Sequence, residues 1–522
     1  MVVRRILSAV LAVGLVAACS SGDDAGSEDA GGEPSTTSTS TAPPEPAPAV
    51  ASEFVENECW WDLPDTHPDE VTITCGTVEV PSDPTDPDSE PFTLAVARAH
   101  HADSDPDAAP ILLLHGGPGG SALGGALNVG DGSLVADRDL ITFDQRGSGR
   151  SLPSLNCPEK EEAILDALGT ADPWEDEYAA NRTAVEACYE RLTVDEGIDL
   201  DLFDTPTSVQ DMEVLRETFG VEQWNLWGGS YGTRLGLDYA RTHPDRVRSL
   251  LIDSVYPPQV NGLERELQRV PTALQRLFDA CAEDEACAGL GDLGEQFDQA
   301  VAALDAEPEA VTTTVRVGGE DVERDFVVVG SDIGAGMFAA MYQTDLIPAI
   351  PTIIADLAAG GRAIIPLYVQ TGVPQLVDLS EGAYISIECA DSGTAIDDDE
   401  REELVADRSG DTLVALTTAM TFCDVWPVEP VDPSFSEVAV PDVPTLVYGG
   451  TLDPITPYTD SAEQAEAMPD AVYVEVPRGG HGVAAFDECT RAVRAAFWDD
   501  PATPLDPCTA SIEPVPFAVE AG

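Results

Sequence analysis

A single serine stands in a motif that could supply a nucleophile. Ser230 is the centre of a G-x-S-x-G pattern in residues 228–232, after the strand-like segment 224–227 and before the helix-like segment 231–242. At such a turn, flanking glycines accept unusual backbone angles and let the serine oxygen project above the sheet. The amide of Tyr231, at the helix N-terminus, would stabilise a developing oxyanion. The alternative is a glycine-rich loop with a bystander serine, but the adjoining strand and helix signals favour the nucleophile.

A second glycine-rich segment could complete an oxyanion hole. His115 is followed by Gly-Gly-Pro-Gly-Gly in residues 116–120, directly after the strand-like run 111–114. Glycines let backbone amides approach a substrate oxygen closely, so we assign Gly117, with Gly116 as its neighbour, as the second donor. We expect His115 to shape this loop rather than transfer protons. A phosphate-binding loop is the rival interpretation, but the segment has neither the lysine of G-x-x-x-x-G-K-[ST] nor the spacing of G-x-G-x-x-G.

The general base can be sought by elimination, because the chain has only six histidines. When a serine at a strand-to-helix turn is the nucleophile, the acid and the histidine follow it in the chain, and only His243 and His481 follow Ser230. His243 ends the helix-like segment after the serine, so we interpret it as a helix-terminal residue. His481 lies in Arg-Gly-Gly-His-Gly, a flexible turn after the strand-like segment 472–476, from which an imidazole could reach the serine.

The acid that orients this histidine is expected after the preceding strand. The apolar run 445–448 leads into Gly-Gly-Thr-Leu-Asp-Pro, a loop with one carboxylate, that of Asp453. Asp453 would hold His481 in the correct tautomer and stabilise the imidazolium. The chain has 96 acidic residues, so an ordinary surface aspartate is the alternative. The position after a strand favours Asp453 as the third member of a triad with Ser230 and His481.

These residues need elements that bring their loops to one edge of a sheet. Short apolar runs that end in Gly, Asp or Ser are typical of buried parallel strands, whose functional loops leave from the carboxyl ends. They alternate with helix-like segments, which predicts the α/β class. The strand-like runs 250–252 and 445–448 are separated by far more chain than an ordinary connection. We therefore predict a core formed by residues 57–257 and 436–522, interrupted by a large, mainly helical lid over residues 258–435.

Five segments taken together resemble a known family. They are residues 115–120, 144–151, 228–232, 449–453 and 480–482, and their types and order are similar to those of the proline iminopeptidase and tripeptidyl aminopeptidase group of α/β-hydrolases. The chain is similar in particular to the secreted actinobacterial branch with a TAP-like C-terminal region, which includes mycobacterial lipoprotein serine hydrolases. The resemblance implies an α/β-hydrolase fold with a mostly parallel central sheet and an inserted lid.

The resemblance also implies roles for residues that the motifs do not explain. Asp144 and Arg146 belong to a family loop that mainly shapes the floor of the site. Thr456 matches a threonine close to the acid in the mycobacterial relatives and is carried as a site neighbour. In the family the lid holds acidic residues that bind the free α-amine of the substrate, which makes Glu388 and Asp391 our candidates for that role. The alternative for both is a solvated carboxylate near a disulfide.

The N-terminus indicates export and anchoring. Residues 1–18 have a basic start and an apolar run with small residues near its end, which is typical of a signal peptide. Cys19 follows in a lipobox-like context, so we expect its lipidation; an ordinary signal peptide with a chance cysteine is the alternative. Residues 19–56 are rich in Ser, Gly, Thr, Pro and acidic residues and predict a disordered tether. The protein would be held at the outer face of the membrane or cell wall only by its lipid anchor, or be released.

The remaining cysteines also point to an oxidising compartment. Apart from Cys19, ten of the eleven cysteines remain, an even number for which disulfides are expected in an exported chain. Neighbours in sequence form plausible pairs, although sequence alone leaves the connectivity open: Cys59 with Cys75, Cys157 with Cys188, Cys281 with Cys287, Cys389 with Cys423, and Cys489 with Cys508. A metal site competes with this interpretation, but there is no C-x-x-C and no histidine cluster beside the cysteines, so we expect neither metal nor cofactor.

The charge balance excludes one class of partner. The chain has 25 Lys and Arg against 96 Asp and Glu, a net charge of −71, and Lys160 is its only lysine. Such a polyanion repels nucleic acid and anionic lipid surfaces. We expect an exported serine hydrolase, an aminopeptidase of tripeptidyl or prolyl type that acts on peptides with a free N-terminus. The alternatives are a carboxylesterase with the same triad and a catalytically idle lipoprotein that binds peptides. The oligomeric state is left open.

Overall fold

The computed structural model describes most of the chain after residue 51. The described residues are 52–62, 67–86, 88–124, 132–317, 320–377, 379–392 and 422–519. The predicted signal peptide (1–18), the predicted lipidation site Cys19 and nearly all of the predicted tether (19–56) lie outside the described residues. Across the described ranges, no helix is both long enough and apolar enough to cross a membrane.

A mixed sheet of nine strands forms the centre of the described chain. All strands, in chain order, are β1 Val55–Asn57, β2 Val71–Pro81, β3 Pro91–His101, β4 Ile111–Leu114, β5 Leu140–Phe143, β6 Trp224–Gly229, β7 Val247–Asp253, β8 Glu309–Val317, β9 Glu320–Val328, β10 Thr445–Gly450 and β11 Ala471–Val476. The sheet order is β1-β2-β3-β5-β4-β6-β7-β10-β11, and β8 pairs with β9 in a separate hairpin. The pairs β1–β2, β2–β3 and β3–β5 are antiparallel. In the order of the sheet, all neighbours from β5 to β11 are parallel. The predicted α/β class with a mostly parallel sheet is confirmed.

Twelve α-helices accompany the strands in the described part of the chain. They are α1 Pro158–Ala167, α2 Trp174–Glu190, α3 Thr205–Phe219, α4 Tyr231–Thr242, α5 Gly262–Glu283, α6 Leu293–Ala306, α7 Gly330–Tyr342, α8 Ile350–Ala358, α9 Ile365–Val377, α10 Glu381–Ser392, α11 Tyr458–Ala467 and α12 Glu488–Asp499. Helix α4 has the bounds that the sequence predicted. Local signals define α3: the side chain of Asp204 accepts the N–H of Thr207 at its start, and Gly220 with φ 65° ends it.

Both faces of the parallel sheet are covered, which explains its apolar strands. Successive residues of β7 point to opposite faces: Leu250 packs in one apolar cluster with Met212 of α3, and Leu251 packs in another with Phe497 of α12. Strands buried on both faces need apolar residues at every position, as the short runs in the sequence indicated. Packing on both faces fixes the carboxyl ends of the strands, from which the predicted site loops leave.

The chain between the neighbouring strands β7 and β10 holds helices α5 to α10 and the β8–β9 hairpin. The prediction for this segment was a mainly helical lid without the hairpin, which buries Val311, Val315, Phe326 and Val328. These residues share an apolar cluster with Ile164 of α1. Helices α1 and α2 come from the connection between β5 and α3, a part of the chain that was assigned to the core. We call α1, α2, α5 to α10 and the hairpin the cover.

Disulfides join all five pairs of sequence neighbours that were expected. Within the described residues the bonds are Cys59–Cys75, Cys157–Cys188, Cys281–Cys287, Cys389–Cys423 and Cys489–Cys508. The second bond ties α1 to α2, and the fourth holds α10 to the chain that returns towards β10. Persistent disulfides are typical of proteins outside the reducing cytosol, so the folded chain belongs to an extracellular or cell-envelope compartment.

Candidate active site

Ser230 lies in the tight turn between β6 and α4, and its backbone is strained. It has φ 56° and ψ −127°, a region that residues other than glycine seldom occupy. Such a conformation costs about 1–3 kcal/mol and persists only where the surroundings enforce it. A Cβ on Gly228 would lie 2.3 Å from the carbonyl oxygen of Gly232, and a Cβ on Gly232 would lie 2.1 Å from that of Leu114. The motif therefore forms a sharp strand-to-helix turn that only glycines permit at these two positions.

Hydrogen bonds hold the backbone of Ser230 on both sides. Its N–H donates to the carbonyl oxygen of Asp253, the last residue of β7, at 3.0 Å. Its carbonyl oxygen accepts the N–H and the hydroxyl of Thr233 at 2.8 and 2.6 Å. The sheet and the first turn of α4 together therefore fix the position of the serine.

The glycine-rich loop after β4 contacts Ser230 directly. A Cβ on Gly116 would lie 2.7 Å from Cβ of Ser230 and 3.2 Å from its Oγ, so the loop backbone closely approaches the serine side chain. Gly117 follows with φ 123°, a conformation that favours glycine. On the other side of the serine, Tyr231 is the first residue of α4, and the N–H group at this position of a helix has no carbonyl partner four residues earlier within the helix. The segments of both predicted oxyanion donors thus meet at one serine.

His481 and Asp453 meet beyond the carboxyl ends of β11 and β10. His481 Nδ1 lies 2.9 Å from Asp453 Oδ2. The hydroxyl of Thr456 donates to the same Oδ2 at 2.8 Å and lies 3.2 Å from His481 Nδ1. Asp453 Oδ1 accepts the N–H groups of Ile455 and Thr456, both at 2.9 Å. The structure therefore brings three predicted site residues together and surrounds one carboxylate with four donors.

This environment keeps Asp453 ionised. The carboxylate is fully buried, and burial by itself opposes ionisation. The nearby His481 and the donated hydrogen bonds outweigh burial and hold the pKa of Asp453 below its ordinary value. An ionised carboxylate beside Nδ1 favours the tautomer with the proton on Nδ1, which makes Nε2 the proton-accepting nitrogen.

The turn that carries His481 is held between the cover and the sheet. The N–H of His481 donates to the carbonyl oxygen of Tyr342, at the end of α7, at 3.1 Å. The ring centroids of His481 and Tyr342 are 4.9 Å apart. On the sheet side, the buried carboxylate of Asp253 accepts the N–H groups of Val483 and Ala484 at 2.9 and 2.7 Å. Neither Tyr342 nor Asp253 was among the residues predicted from the sequence. The signal for Asp253 was its place at the end of the strand that follows the nucleophile.

Glu388 and Asp391 do not lie open to a substrate amine. Both belong to α10 and are buried. Asp391 Oδ2 accepts the hydroxyl of Thr205 at 2.6 Å and lies 3.5 Å from Nη1 of Arg234, while Glu388 Oε2 accepts the hydroxyl of Tyr256 at 2.9 Å. Burial raises the pKa of Asp391 to about 7, against the opposing charge of Arg234. The expectation that this pair binds an amine is therefore corrected, as is the alternative of solvated carboxylates, because both are internal partners of the core.

Comparison with known proteins identifies the family to which the chain belongs. Residues 109–487, more than half of the chain, match the family described as "alpha/beta hydrolase fold". The chain belongs to this α/β-hydrolase family. Serine protease Hip1 of Mycobacterium tuberculosis (strain ATCC 25618 / H37Rv) is 26% identical over 419 residues, which cover 76% of this chain and 79% of the relative. Tripeptidyl aminopeptidase of Streptomyces lividans is 26% identical over 453 residues, covering 81% and 79%.

A third relative of this α/β hydrolase carries a different name. Carboxylesterase B of Mycobacterium tuberculosis (strain CDC 1551 / Oshkosh) is 26% identical over 447 residues, which cover 81% of this chain and 83% of the relative. The family and these relatives show that the chain is an enzyme of the serine hydrolase type. The idle peptide-binding lipoprotein is therefore set aside.

Other predicted residues of the α/β hydrolase have supporting positions. Arg146 is buried and donates to both carboxylate oxygens of Asp211, at 2.8 and 2.7 Å. Its neighbour Gln145, which was not predicted from the sequence, donates to the carbonyl oxygen of His115 at 2.9 Å and so supports the glycine-rich loop. His243 ends α4, as predicted. Within the described ranges, no group of three or more His, Cys, Asp or Glu side chains is arranged to hold a metal ion.

Proposed function

We propose that this α/β hydrolase is an exported serine aminopeptidase whose catalytic triad is Ser230, His481 and Asp453. The observation that carries the proposal is the 2.9 Å contact between His481 Nδ1 and Asp453 Oδ2, on the same edge of the sheet as the strained turn of Ser230. Strands β6, β7, β10 and β11 are parallel neighbours, so the loops at their carboxyl ends lie together.

In the proposed reaction, Ser230 Oγ attacks the carbonyl carbon of the scissile bond while His481 Nε2 takes its proton. The ionised Asp453 stabilises the imidazolium, and the N–H groups of Tyr231 and Gly117 donate to the oxyanion. Collapse of the tetrahedral intermediate expels the amine, which takes the proton from His481, and leaves an acyl-enzyme on Ser230. Water then gives its proton to His481 and attacks the acyl carbon of the ester. Collapse of the second tetrahedral intermediate breaks the bond to Ser230 Oγ, which takes the proton back from His481, and releases the N-terminal fragment as a carboxylic acid.

The favoured substrates are peptides with a free N-terminus, cleaved to release tripeptides or single residues. This choice is supported by the relatives named serine protease and tripeptidyl aminopeptidase. The net charge of −71 also favours it, because a negative field attracts a cationic N-terminus and added salt weakens that attraction. Since Glu388 and Asp391 are internal, this attraction comes from the field of the whole protein.

A carboxylesterase is the second candidate. The relative named Carboxylesterase B has the same identity, 26%, as the peptidases and covers as much of this chain as the aminopeptidase. The same triad and oxyanion donors serve both reactions, so the two candidates differ only in the acyl group and leaving group that the cover admits.

One substrate set separates the candidates. The wild-type enzyme is assayed with coumarin amides of one to three residues, each with a free or an acetylated N-terminus, and with a p-nitrophenyl ester. An aminopeptidase turns over the free peptides and discriminates against the acetylated ones. Equal turnover of free and acetylated peptides would reject the aminopeptidase, and turnover of the ester alone would establish the esterase.

The triad is tested separately with a fluorophosphonate, which labels an activated serine. Wild-type protein should be labelled and Ser230→Ala should not. Labelling that persists in Ser230→Ala would reject Ser230 as the nucleophile. The variant Ser434→Ala is the control, because Ser434 is an exposed serine of the chain that returns towards β10, and it should be labelled as the wild type is.

Export and anchoring complete the proposal. The five disulfides of the described residues support an oxidising compartment, and the proposed signal peptide (1–18), lipidated Cys19 and tether (19–56) would place the enzyme on the outer face of the membrane or cell wall. Treatment with globomycin should make the precursor accumulate. If no precursor accumulates and the protein stays in the aqueous phase of a detergent partition, the lipid anchor is rejected.

A further inference from the structure

Helix α10 of the cover contacts the loop that carries the proposed donor Gly117. Just before the helix, Leu379 forms an antiparallel bridge with Gly120, and the N–H of Ser380 donates to the carbonyl oxygen of Gly119 at 3.0 Å. The fit is close: a Cβ on Gly119 would lie 2.7 Å from the carbonyl oxygen of Ser380. The start of α10 therefore rests directly on the glycine-rich loop.

The other end of α10 reaches the first turn of α4, where the second proposed donor lies. The hydroxyl of Thr205 has one proton and donates it to Asp391 Oδ2 at 2.6 Å. Because Thr205 gives its only hydroxyl proton to Asp391, the same oxygen accepts from the hydroxyl of Tyr231, which lies 2.6 Å away. A chain of two hydrogen bonds thus links α10 to the residue whose amide is proposed to bind the oxyanion.

A second chain runs from Glu388 to the nucleophile itself. Glu388 Oε2 accepts the hydroxyl of Tyr256 at 2.9 Å, and the N–H of Tyr256 donates to the hydroxyl oxygen of Thr233 at 2.8 Å. The hydroxyl of Thr233 in turn donates to the carbonyl oxygen of Ser230 at 2.6 Å. The carboxylate on the cover is therefore connected to the strained turn by three consecutive hydrogen bonds.

Arg234 makes these contacts electrostatically interdependent. It lies one turn after Tyr231 in α4 and is fully buried, with its guanidinium 3.8 Å from the ring centroid of Tyr256. It donates to the carbonyl oxygen of Val260 at 2.6 Å and faces Asp391 at 3.5 Å. A buried cation needs a nearby anion, because water cannot replace a lost partner. Removing a carboxylate from α10 should therefore disturb the first turn of α4.

We infer that α10 is a fixed brace that sets the spacing of the two oxyanion donors, with Asp391 and Glu388 as positioning residues. The inference rests on the proposed function, because that proposal assigns the donors Tyr231 and Gly117. It adds a role for the cover in the chemical step for every substrate. A role in binding the amine would instead affect only substrates with a free N-terminus.

Kinetics distinguish these two roles. The variants are Asp391→Asn, Glu388→Gln and Thr205→Val, each close in size to the original residue. The matched control is Glu213→Gln, because Glu213 also pairs with an arginine, Arg216, and accepts a tyrosine hydroxyl, that of Tyr239, about two helical turns beyond Tyr231. Each is assayed for kcat and KM on a free peptide amide, its acetylated form and a p-nitrophenyl ester.

The brace predicts a loss of kcat of about 10- to 100-fold, since one weakened oxyanion donor costs up to about 10³-fold. KM should change little, and the loss should be similar for every substrate that the wild type turns over. Glu213→Gln should retain the wild-type kcat. A loss confined to free-amine substrates and seen mainly in KM would overturn the brace and restore the amine-binding role. Wild-type kcat in all three variants would also overturn it.

Hydrogen exchange gives a readout that does not depend on turnover. Amides in residues 231–234 should exchange faster in Asp391→Asn and Thr205→Val than in wild type and Glu213→Gln. Unchanged exchange there would overturn the brace even if the enzyme is active. Conversely, absence of fluorophosphonate labelling in the wild type would reject the proposed triad, while faster exchange would still support the brace. If Asp391→Asn does not fold, Thr205→Val decides, because it removes one hydroxyl and leaves the side chains of Asp391 and Arg234 in place.

Discussion

Two fully buried aspartates, one in a core loop and one in the cover, show how differently the same side chain can be held. Asp453 accepts four hydrogen bonds, from two backbone amides, Thr456 and His481, and its pKa is lowered despite burial. Asp391 accepts two bonds from Thr205 and faces Arg234 at 3.5 Å, and burial raises its pKa to about 7. Burial is common to both, so the number and closeness of the donors decide which carboxylate is held ionised.

The difference fits the tasks that we propose for the two regions. The core loop must present a negative charge to a histidine that becomes positive during the reaction, so it surrounds Asp453 with donors. The cover needs only fixed geometry from Asp391, for which one threonine and one arginine suffice. Breaking the core site should therefore abolish chemistry, whereas breaking contacts elsewhere should reduce rate or stability by smaller amounts.

The largest expected effect is that of Asp453→Asn. Asparagine preserves the size of the side chain but favours the wrong tautomer of His481, so kcat on the peptide amide should fall by about 10⁴-fold. The assay is steady-state kinetics together with the rate of fluorophosphonate labelling. The double variant Asp453→Asn/Ser230→Ala should be no slower than Ser230→Ala alone, since the two residues are proposed to act as a unit. A kcat within about 10-fold of wild type would show that another acid orients His481.

Asp253→Asn is expected to have the second largest effect. The two oxygens of the Asp253 carboxylate accept the N–H groups of Val483 and Ala484. The side-chain amide of asparagine has only one oxygen and cannot accept both bonds in the same way. The turn that carries His481 should shift, and a displacement of about 1 Å can reduce kcat by about 10²-fold.

Asp238→Asn is the control for Asp253→Asn. Asp238 is a buried carboxylate of α4 that pairs with Arg241, so its loss should lower the thermal midpoint and leave kcat unchanged. If Asp253→Asn lowers the midpoint as Asp238→Asn does but retains the wild-type kcat, the role of Asp253 in positioning His481 is rejected.

The residues that the sequence could predict are those encoded by local patterns. Ser230, Asp453 and His481 each follow a strand-like run and stand among glycines or prolines, so short segments were sufficient to propose them. The bounds of α4 and the five disulfide pairs of the described chain likewise depend on neighbours in sequence. The parallel sheet followed because apolar runs alternated with helix-like segments.

The errors concern contacts between segments that are distant in sequence. Glu388 and Asp391 were predicted to bind an amine, because nothing near them in the sequence reveals that Asp391 faces Arg234 of α4. Helix α1 belongs to the cover because apolar side chains such as Ile164 pack against the β8–β9 hairpin, a contact that forms only in the folded chain. Charge composition could not distinguish a solvated carboxylate from a buried one, since that depends on tertiary packing.

Thr456→Val should have a smaller effect on catalysis. Valine removes the hydroxyl that donates to Asp453 Oδ2 but leaves the two backbone amides and His481 in place. Loss of a hydrogen bond to a charged group is worth about 1.5 kcal/mol, which corresponds to about a 10-fold lower kcat. Thr456→Ser retains the hydroxyl and should recover most of the rate. Equal loss in the valine and serine variants would indicate that packing of the methyl group, rather than the hydrogen bond, matters.

The smallest expected effect concerns Glu177 of α2, a half-buried carboxylate in the cover. Burial, together with the negative charges of Asp332 and Asp172, raises the pKa of Glu177 to about 7 from its ordinary value of 4.5. Between those two values the folded chain holds a proton that the unfolded chain has released. The free energy of unfolding therefore falls as the pH rises through this window and is fully retained below it.

Glu177→Gln replaces the carboxylate with a neutral side chain of the same shape and should remove this loss of stability. The variant should be more stable than wild type at pH 8, by about 1 kcal/mol after allowance for the half-exposed position, and equally stable near pH 4.5. Urea unfolding at several pH values measures the difference. Glu190→Gln, which changes an exposed carboxylate of the same helix, should follow the wild-type curve. If the free energy of unfolding of Glu177→Gln runs parallel to that of wild type at every pH, water reaches this carboxylate in the folded cover. If the two curves instead converge at low pH, the cover holds the Glu177 carboxyl group more easily when it is protonated, unlike the loop around Asp453.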